Sequence, residues 1–183
     1  MCKYFLWRDH GLELSGDALL DDGVGFADVV NRVFEAVVES YAPRPIVAHF
    51  HEWMGSLAIP GIRRAHLPIG IVFTTHATRL GRQLAAEVGD FYERLPRLDD
   101  AAEAARYGLG AIHGIERACA HGAHVFTTVS EVTGEECKYL LGRAPDVVLP
   151  NGLNIERFVA AHYLHSLHLD NRPHFPQFID CLP

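Results

Sequence analysis

Apolar and polar positions follow two different periods along this chain, and the period names the element. Between Gly25 and Tyr41 the apolar residues fall at Phe26, Val29, Val30, Val33, Phe34, Val37 and Val38. That is the spacing of an amphipathic helix, and Pro43 and Pro45 end it. Ile46 to Phe50 and Ile69 to Thr74 are near-continuous apolar runs of strand length, with a helical pattern from Met54 to Arg64 between them. Leu80 to Arg94 reads as helical, and the alanine-rich Ala101 to His121 reads as one longer helix or a broken pair. Gly122 to Thr128 predicts a third strand, Ser130 caps a helix that stops at Gly142, and Asp146 to Leu149 predicts a fourth strand closed by Pro150. Strands that alternate with helices and stay apolar along their length predict a Rossmann-like α/β fold, a parallel sheet with helices on both faces. Phe158 to Leu167 keeps helical spacing, whereas Asp170 to Pro183 carries three prolines and no period. That tail is not expected to add a packed layer.

Each strand stops abruptly at hydrogen-bonding residues: AHFHEW at 48–53, TTHATR at 74–79, FTTVS at 126–130 and LPNG at 149–152. In α/β sheets ligands sit beyond the carboxyl ends of the strands, so His, Thr, Ser and Asn there suit a hydroxyl-rich ligand. His76 is the foremost candidate, because a neutral imidazole both donates and accepts, and Thr75 precedes it at the strand end. Arg82, six residues on, offers a fixed charge suited to phosphate, while Arg79 reads as exposed. Glu52 and Trp53 either pin a loop or line a sugar pocket, and the Asn151 amide can reach the crevice. Thr127, Thr128 and Ser130 are explained by a strand terminus and a helix cap. His49 and His51 project to the same side of their strand. With His76 they would make the start of a zinc-hydrolase site, although no HExxH and no later strand-end Asp completes one. The alternative for the pair is packing for His49 and a backbone hydrogen bond for His51. His162, His165 and His168 share one helical face and read as a surface cluster.

Composition narrows the picture further. The chain has 183 residues, a net charge of −7 and a pI near 5.9, which argues against nucleic-acid and membrane-surface partners. No apolar run approaches the ~20 residues of a membrane span, and MCKYFLWRDH at the start lacks the features of a signal peptide. A cytoplasmic protein is expected. The four cysteines are scattered, without a CxxC pair, and read as reduced thiols rather than metal ligands.

With these residues placed, the chain resembles the glycogen synthases of the animal and fungal type. The similarity rests on HFHEW at 49–53, IVFTTHATRLGR at 71–82, DFYERL at 90–95, IERACAHGAHVFTTVSEVT at 115–133 and LLGRAPDVVLPNGLNIERF at 140–158. The resemblance implies a GT-B fold, two Rossmann-like domains across a cleft, with residues 1–158 as part of the N-terminal, acceptor-side domain. Residues 159–183 would begin an inter-domain segment and end in an atypical tail, and the nucleotide-binding C-terminal domain would be absent from what reads as a fragment. The implied reaction is retaining transfer of glucose from UDP-glucose to the non-reducing end of glycogen or another α-1,4-glucan, without metal or cofactor. His76 matches the family's active-site histidine, Arg82 an arginine near the donor phosphates, and Asn151 an asparagine facing the cleft; His51, Glu52 and Thr75 join them as substrate-binding candidates. Met54 stands where many members carry Gln. The resemblance also implies a possible homo-oligomer at full length. Two other readings stand beside it, a related transferase using ADP-glucose and a catalytically dead module that binds glucan or a partner synthase. The second follows from the absent nucleotide-binding domain, since half a cleft stabilises a transition state poorly.

Overall fold

The computed structural model describes residues 2–12 and 18–152. The chain divides into two compact units, Met1–Pro150 and Asn151–Pro183. In the first unit, helices α1 (Cys2–His10) and α2 (Ala18–Tyr41) precede strand β1 (Ile46–His51). Short helices α3 (Glu52–Ser56) and α4 (Ile59–Arg64) lead to β2 (Ile69–Thr75). The long connection to β3 (Val125–Thr128) holds α5 (Arg79–Glu87), α6 (Phe91–Arg94), α7 (Asp100–Arg106) and α8 (Gly110–Gly122). Helix α9 (Glu131–Glu136), continued by a wider turn over Cys137–Leu141, leads to β4 (Val147–Val148). The second unit contributes only Asn151 and Gly152 to the described residues, both exposed. The predicted helix over 158–167, the histidines at 162, 165 and 168, and the proline-rich tail lie outside the described residues.

The strands form one parallel sheet in the order β1-β2-β3-β4, as their unbroken apolar character predicts. Register puts Ala48 beside Ile71, Phe50 beside Phe73 and Phe73 beside Phe126. These residues face one way and share a core with Leu57, Ile59 and Ile62 of the α3–α4 region and with Ile115, Cys119 and Ala120 of α8. A strand order that advances steadily, joined by right-handed crossovers, places every crossover helix on the same side of the sheet. The opposite face shows Val47, Val125 and Val147 at 69%, 39% and 45% exposure. The described residues show the α/β architecture that the sequence predicts, a parallel sheet with helices.

Local boundaries follow the chemistry of the chain. The predicted helix from Met54 divides into α3 and α4, and Ala101–His121 into α7 and α8, broken at Gly108, which takes φ +67°. Ser130 caps α9 by accepting the Thr133 N–H, and Gly142 closes the following turn at φ +68°. Helix α2 carries more apolar positions than one face can use. Leu20, Val24 and Ala27 are buried and Val30, Phe34 and Val38 pack on the core, but Phe26, Val29 and Val33 are more than half exposed. Among the described residues, no helix is long and apolar enough to cross a membrane.

Phe73 is fully buried and stacks on Phe126 at 5.4 Å with an interplanar angle of 8°. Phe73→Ala should cost about 3–5 kcal/mol, measured by urea unfolding. A loss below about 1 kcal/mol would mean that the neighbouring helices close the gap.

Candidate functional site

The parallel register brings the polar strand ends together. His51 lies beside Thr74, and Thr75 beside Thr128. On the face opposite Phe73 and Phe126, His49 Nε2 lies 2.7 Å from Thr74 Oγ1, which lies 2.6 Å from Thr127 Oγ1. A hydrogen-bonded row thus crosses three strands just below the loop that follows β2. The His51 ring stands 4.3 Å from that of His49 and 5.7 Å from that of His76, with His51 Nδ1 and His76 Nε2 3.4 Å apart. Desolvation first, and then the two neighbouring imidazoles, hold His51 below the ordinary imidazole value against the pull of Glu52. A neutral ring is the one that both donates and accepts. Three histidines do converge, as the zinc reading requires. Among the described residues, however, no group of three or more His, Cys, Asp or Glu is arranged to hold a metal ion.

The loop 76–79 is held from beneath by three acidic side chains that come from three different elements. Glu52 of α3 accepts the His76 N–H at 2.9 Å. Glu136 of α9 accepts the Thr78 hydroxyl at 2.9 Å, and the same hydroxyl oxygen caps α5 by accepting the Gly81 N–H. Glu116 of α8 receives the Arg79 N–H, its two oxygens at 3.0 and 3.2 Å. Glu52 does this with φ at +56°, a left-handed conformation that a non-glycine residue keeps only where its surroundings enforce it. Gly81 has no alternative side chain, because a Cβ there would stand 2.3 Å from both the Glu136 carboxylate and the Thr78 hydroxyl.

With its backbone satisfied below, the loop presents its side chains above. His76 is half-buried, while Arg79 and Arg82 on α5 are exposed. Both arginines line a cavity of about 430 Å³ with Glu52, Trp53, Met54 and Glu116. Such a cavity offers cations and a few oriented polar groups to an anionic, hydroxyl-bearing ligand. Thr75 is buried, and its hydroxyl donates to the Ala77 carbonyl at 3.1 Å, so it shapes the loop. Asn151 belongs to the second unit.

Glu116, Glu136, Thr78 and the cavity-lining position of Arg79 are not evident from strand-end reasoning. A signal for the two acids does exist. Glu116 continues the apolar stripe of Ile112, Ile115 and Cys119, and Glu136 that of Cys137 and Leu140, so each is an acid on a face meant for the core.

Burial, with the nearby carboxylates of Glu52 and Glu136 adding to it, pushes Glu116 from an ordinary 4.5 up to about 8, against the stabilising Arg79 N–H. The folded chain therefore binds this proton more tightly than the unfolded chain does. The associated stability is complete below pH ~4.5 and is lost as pH rises through about 8. Glu116→Gln should remove that loss, so its advantage over the parent in urea unfolding should grow between pH 5 and pH 8. A difference that does not change with pH would contradict the assignment.

A family model described as glycogen synthase matches residues 9–181. The glycogen [starch] synthase of Neurospora crassa is 45% identical over 136 residues, 74% of this chain and 19% of the relative. That of Caenorhabditis elegans is 45% identical over 146 residues, 80% of this chain and 22% of the relative. Glycogen [starch] synthase isoform 2 of Saccharomyces cerevisiae is 47% identical over 135 residues, 73% and 19% respectively. The chain thus spans about a fifth of the length of these curated relatives. Nearly the whole sequence lies within the family match, strand ends, acid-held loop and cavity included, and the chain belongs to the glycogen synthase family.

Proposed function

We propose that this chain supplies the acceptor-side wall of a glucosyltransferase cleft. The reaction is transfer of glucose, with retention, from UDP-glucose to the 4-hydroxyl at the non-reducing end of glycogen or a similar α-1,4-glucan. The carrying observation is the rigid presentation of residues 76–79 by Glu52, Glu116 and Glu136. In this transfer the leaving diphosphate gains negative charge while the sugar becomes oxocarbenium-like. Fixed donors and cations lower such a barrier only if they are positioned before the charge develops. His76 hydrogen-bonds the donor glucose, with its backbone N–H anchored on Glu52 and the neutral His51 ring beside it. Arg82 and Arg79 lie toward the diphosphate, one helical turn apart. Glu52 acts through His76, and Thr75 through the Ala77 carbonyl. No metal or cofactor enters this scheme, and a cytoplasmic setting suits a soluble nucleotide sugar.

The test is a chimera in which this chain replaces the matching segment of the yeast synthase. It should incorporate labelled glucose from UDP-glucose into glycogen, and His76→Ala should lower kcat at least ~100-fold. An unchanged rate in the variant would remove His76 from the mechanism. A chimera that binds glycogen but transfers nothing would favour a glucan-binding module.

A further inference from the structure

A cavity of about 660 Å³ lies away from the strand ends, between α1, α4 and α8. Arg63, Arg64, Arg117, His66 and His121 line it, with Asp9 as the one carboxylate among its lining residues. Two of the arginines are engaged: Arg64 pairs with Asp9 at 2.6 Å, and Arg117 with Asp100 at 2.6 Å. Arg63 has no carboxylate partner among the described residues. Its guanidinium instead stands 2.5 Å from His124 Nε2.

That contact is mismatched. The Ile71 N–H donates to His124 Nδ1 at 2.9 Å, so in the neutral ring the proton must sit on Nε2. Nε2–H then faces an N–H of Arg63, donor against donor. The guanidinium gains by turning toward any acceptor the cavity receives. His66, which also lines the cavity, holds φ +51°, the second of two non-glycine residues in this conformation among those described. The first is Glu52, beneath the proposed catalytic histidine.

We infer that this cavity is an anion site that takes a phosphate group, with Arg63 as its principal charge and His66 as a hydrogen-bonding partner. A fork of N–H donors matches tetrahedral oxyanions and forms charge-assisted bonds with them. The cavity exceeds a lone phosphate several-fold, so the ligand class is a phosphorylated small molecule whose remainder occupies the other lining residues. The inference does not depend on the glucosyl-transfer reading.

The experiment is a titration of the whole chain with inorganic phosphate, followed by amide NMR shifts, at constant ionic strength held with sodium chloride. Saturable shifts should appear in α4 and at the carboxyl-terminal end of α8. Arg63→Gln should weaken binding about tenfold or more, and Arg82→Gln should leave it unchanged. His66→Gly, which relieves the left-handed backbone, should fold at least as well as the parent and still bind more weakly. No saturable shift beyond the chloride control would overturn the site. So would equal affinity in the Arg63 and His66 variants, or loss of binding in Arg82→Gln alone.

Discussion

The backbone of residues 76–79 leaves the sheet after Thr75 and has not yet entered the helix at Arg79, so neither ladder can satisfy it. Thr78 within it, and Leu80 and Gly81 just after it, are buried away from water. A buried N–H without a partner costs about as much as a lost hydrogen bond. Glu52 and Glu116 supply acceptors for the His76 and Arg79 N–H groups and Glu136 one for the Thr78 hydroxyl, and much of the local architecture follows from that requirement. Glu52 accepts a left-handed backbone, Gly81 gives up any side chain, and α8 and α9 each place an acid on a core-facing stripe. Burying a carboxylate is expensive, two more nearby add to it, and the raised proton affinity of Glu116 records the cost. The return is a loop whose side-chain direction is fixed without help from a ligand.

Such a loop separates two tasks that a flexible segment would mix. Its buried side serves folding, through backbone N–H groups and the Thr78 hydroxyl. Its exposed side serves chemistry, through the His76 ring and the two arginines. The polar row His49–Thr74–Thr127 repeats the division inside the strands. Alternate residues of the same strands, Phe73 and Phe126 among them, make the core stack. Period-two geometry lets one strand carry both roles without compromise.

The helices, strands and polar strand ends were readable because each is a local property of sequence. Thr74, His76 and Asn151 stand where an apolar run stops, and their neighbours announce them. The carboxylate cradle was not readable in that way. Glu116 lies 37 residues from the Arg79 it holds, and Glu136 lies 58 from Thr78. Only strand order and crossover hand bring these pairs together. The acid on an apolar stripe marked both positions, but it could not say what they would hold. Helix α2 failed differently: its valines and phenylalanines satisfy helical spacing on two adjacent stripes, and periodicity alone does not choose which one packs. Gly108 and the α3–α4 break show the same limit, since a short break depends on what the flanking turns can bury.

Net charge sets a further limit on what composition can say. A net charge of −7 works against polyanion binding by the body as a whole, because long-range attraction follows the sum of its charges. Within about a Debye length, roughly 8–10 Å, local arrangement governs instead. Here the acids are partly consumed internally: Glu116 and Glu136 are buried against the loop, and Asp9 and Asp100 are tied to arginines. Arginine charge remains at both cavities, as Arg79 and Arg82 at the strand ends and as Arg63 on the far side. The sign of the whole molecule therefore says little about the sign of its ligands. An acidic protein can offer cationic sites when its carboxylates are spent on holding the backbone that displays them.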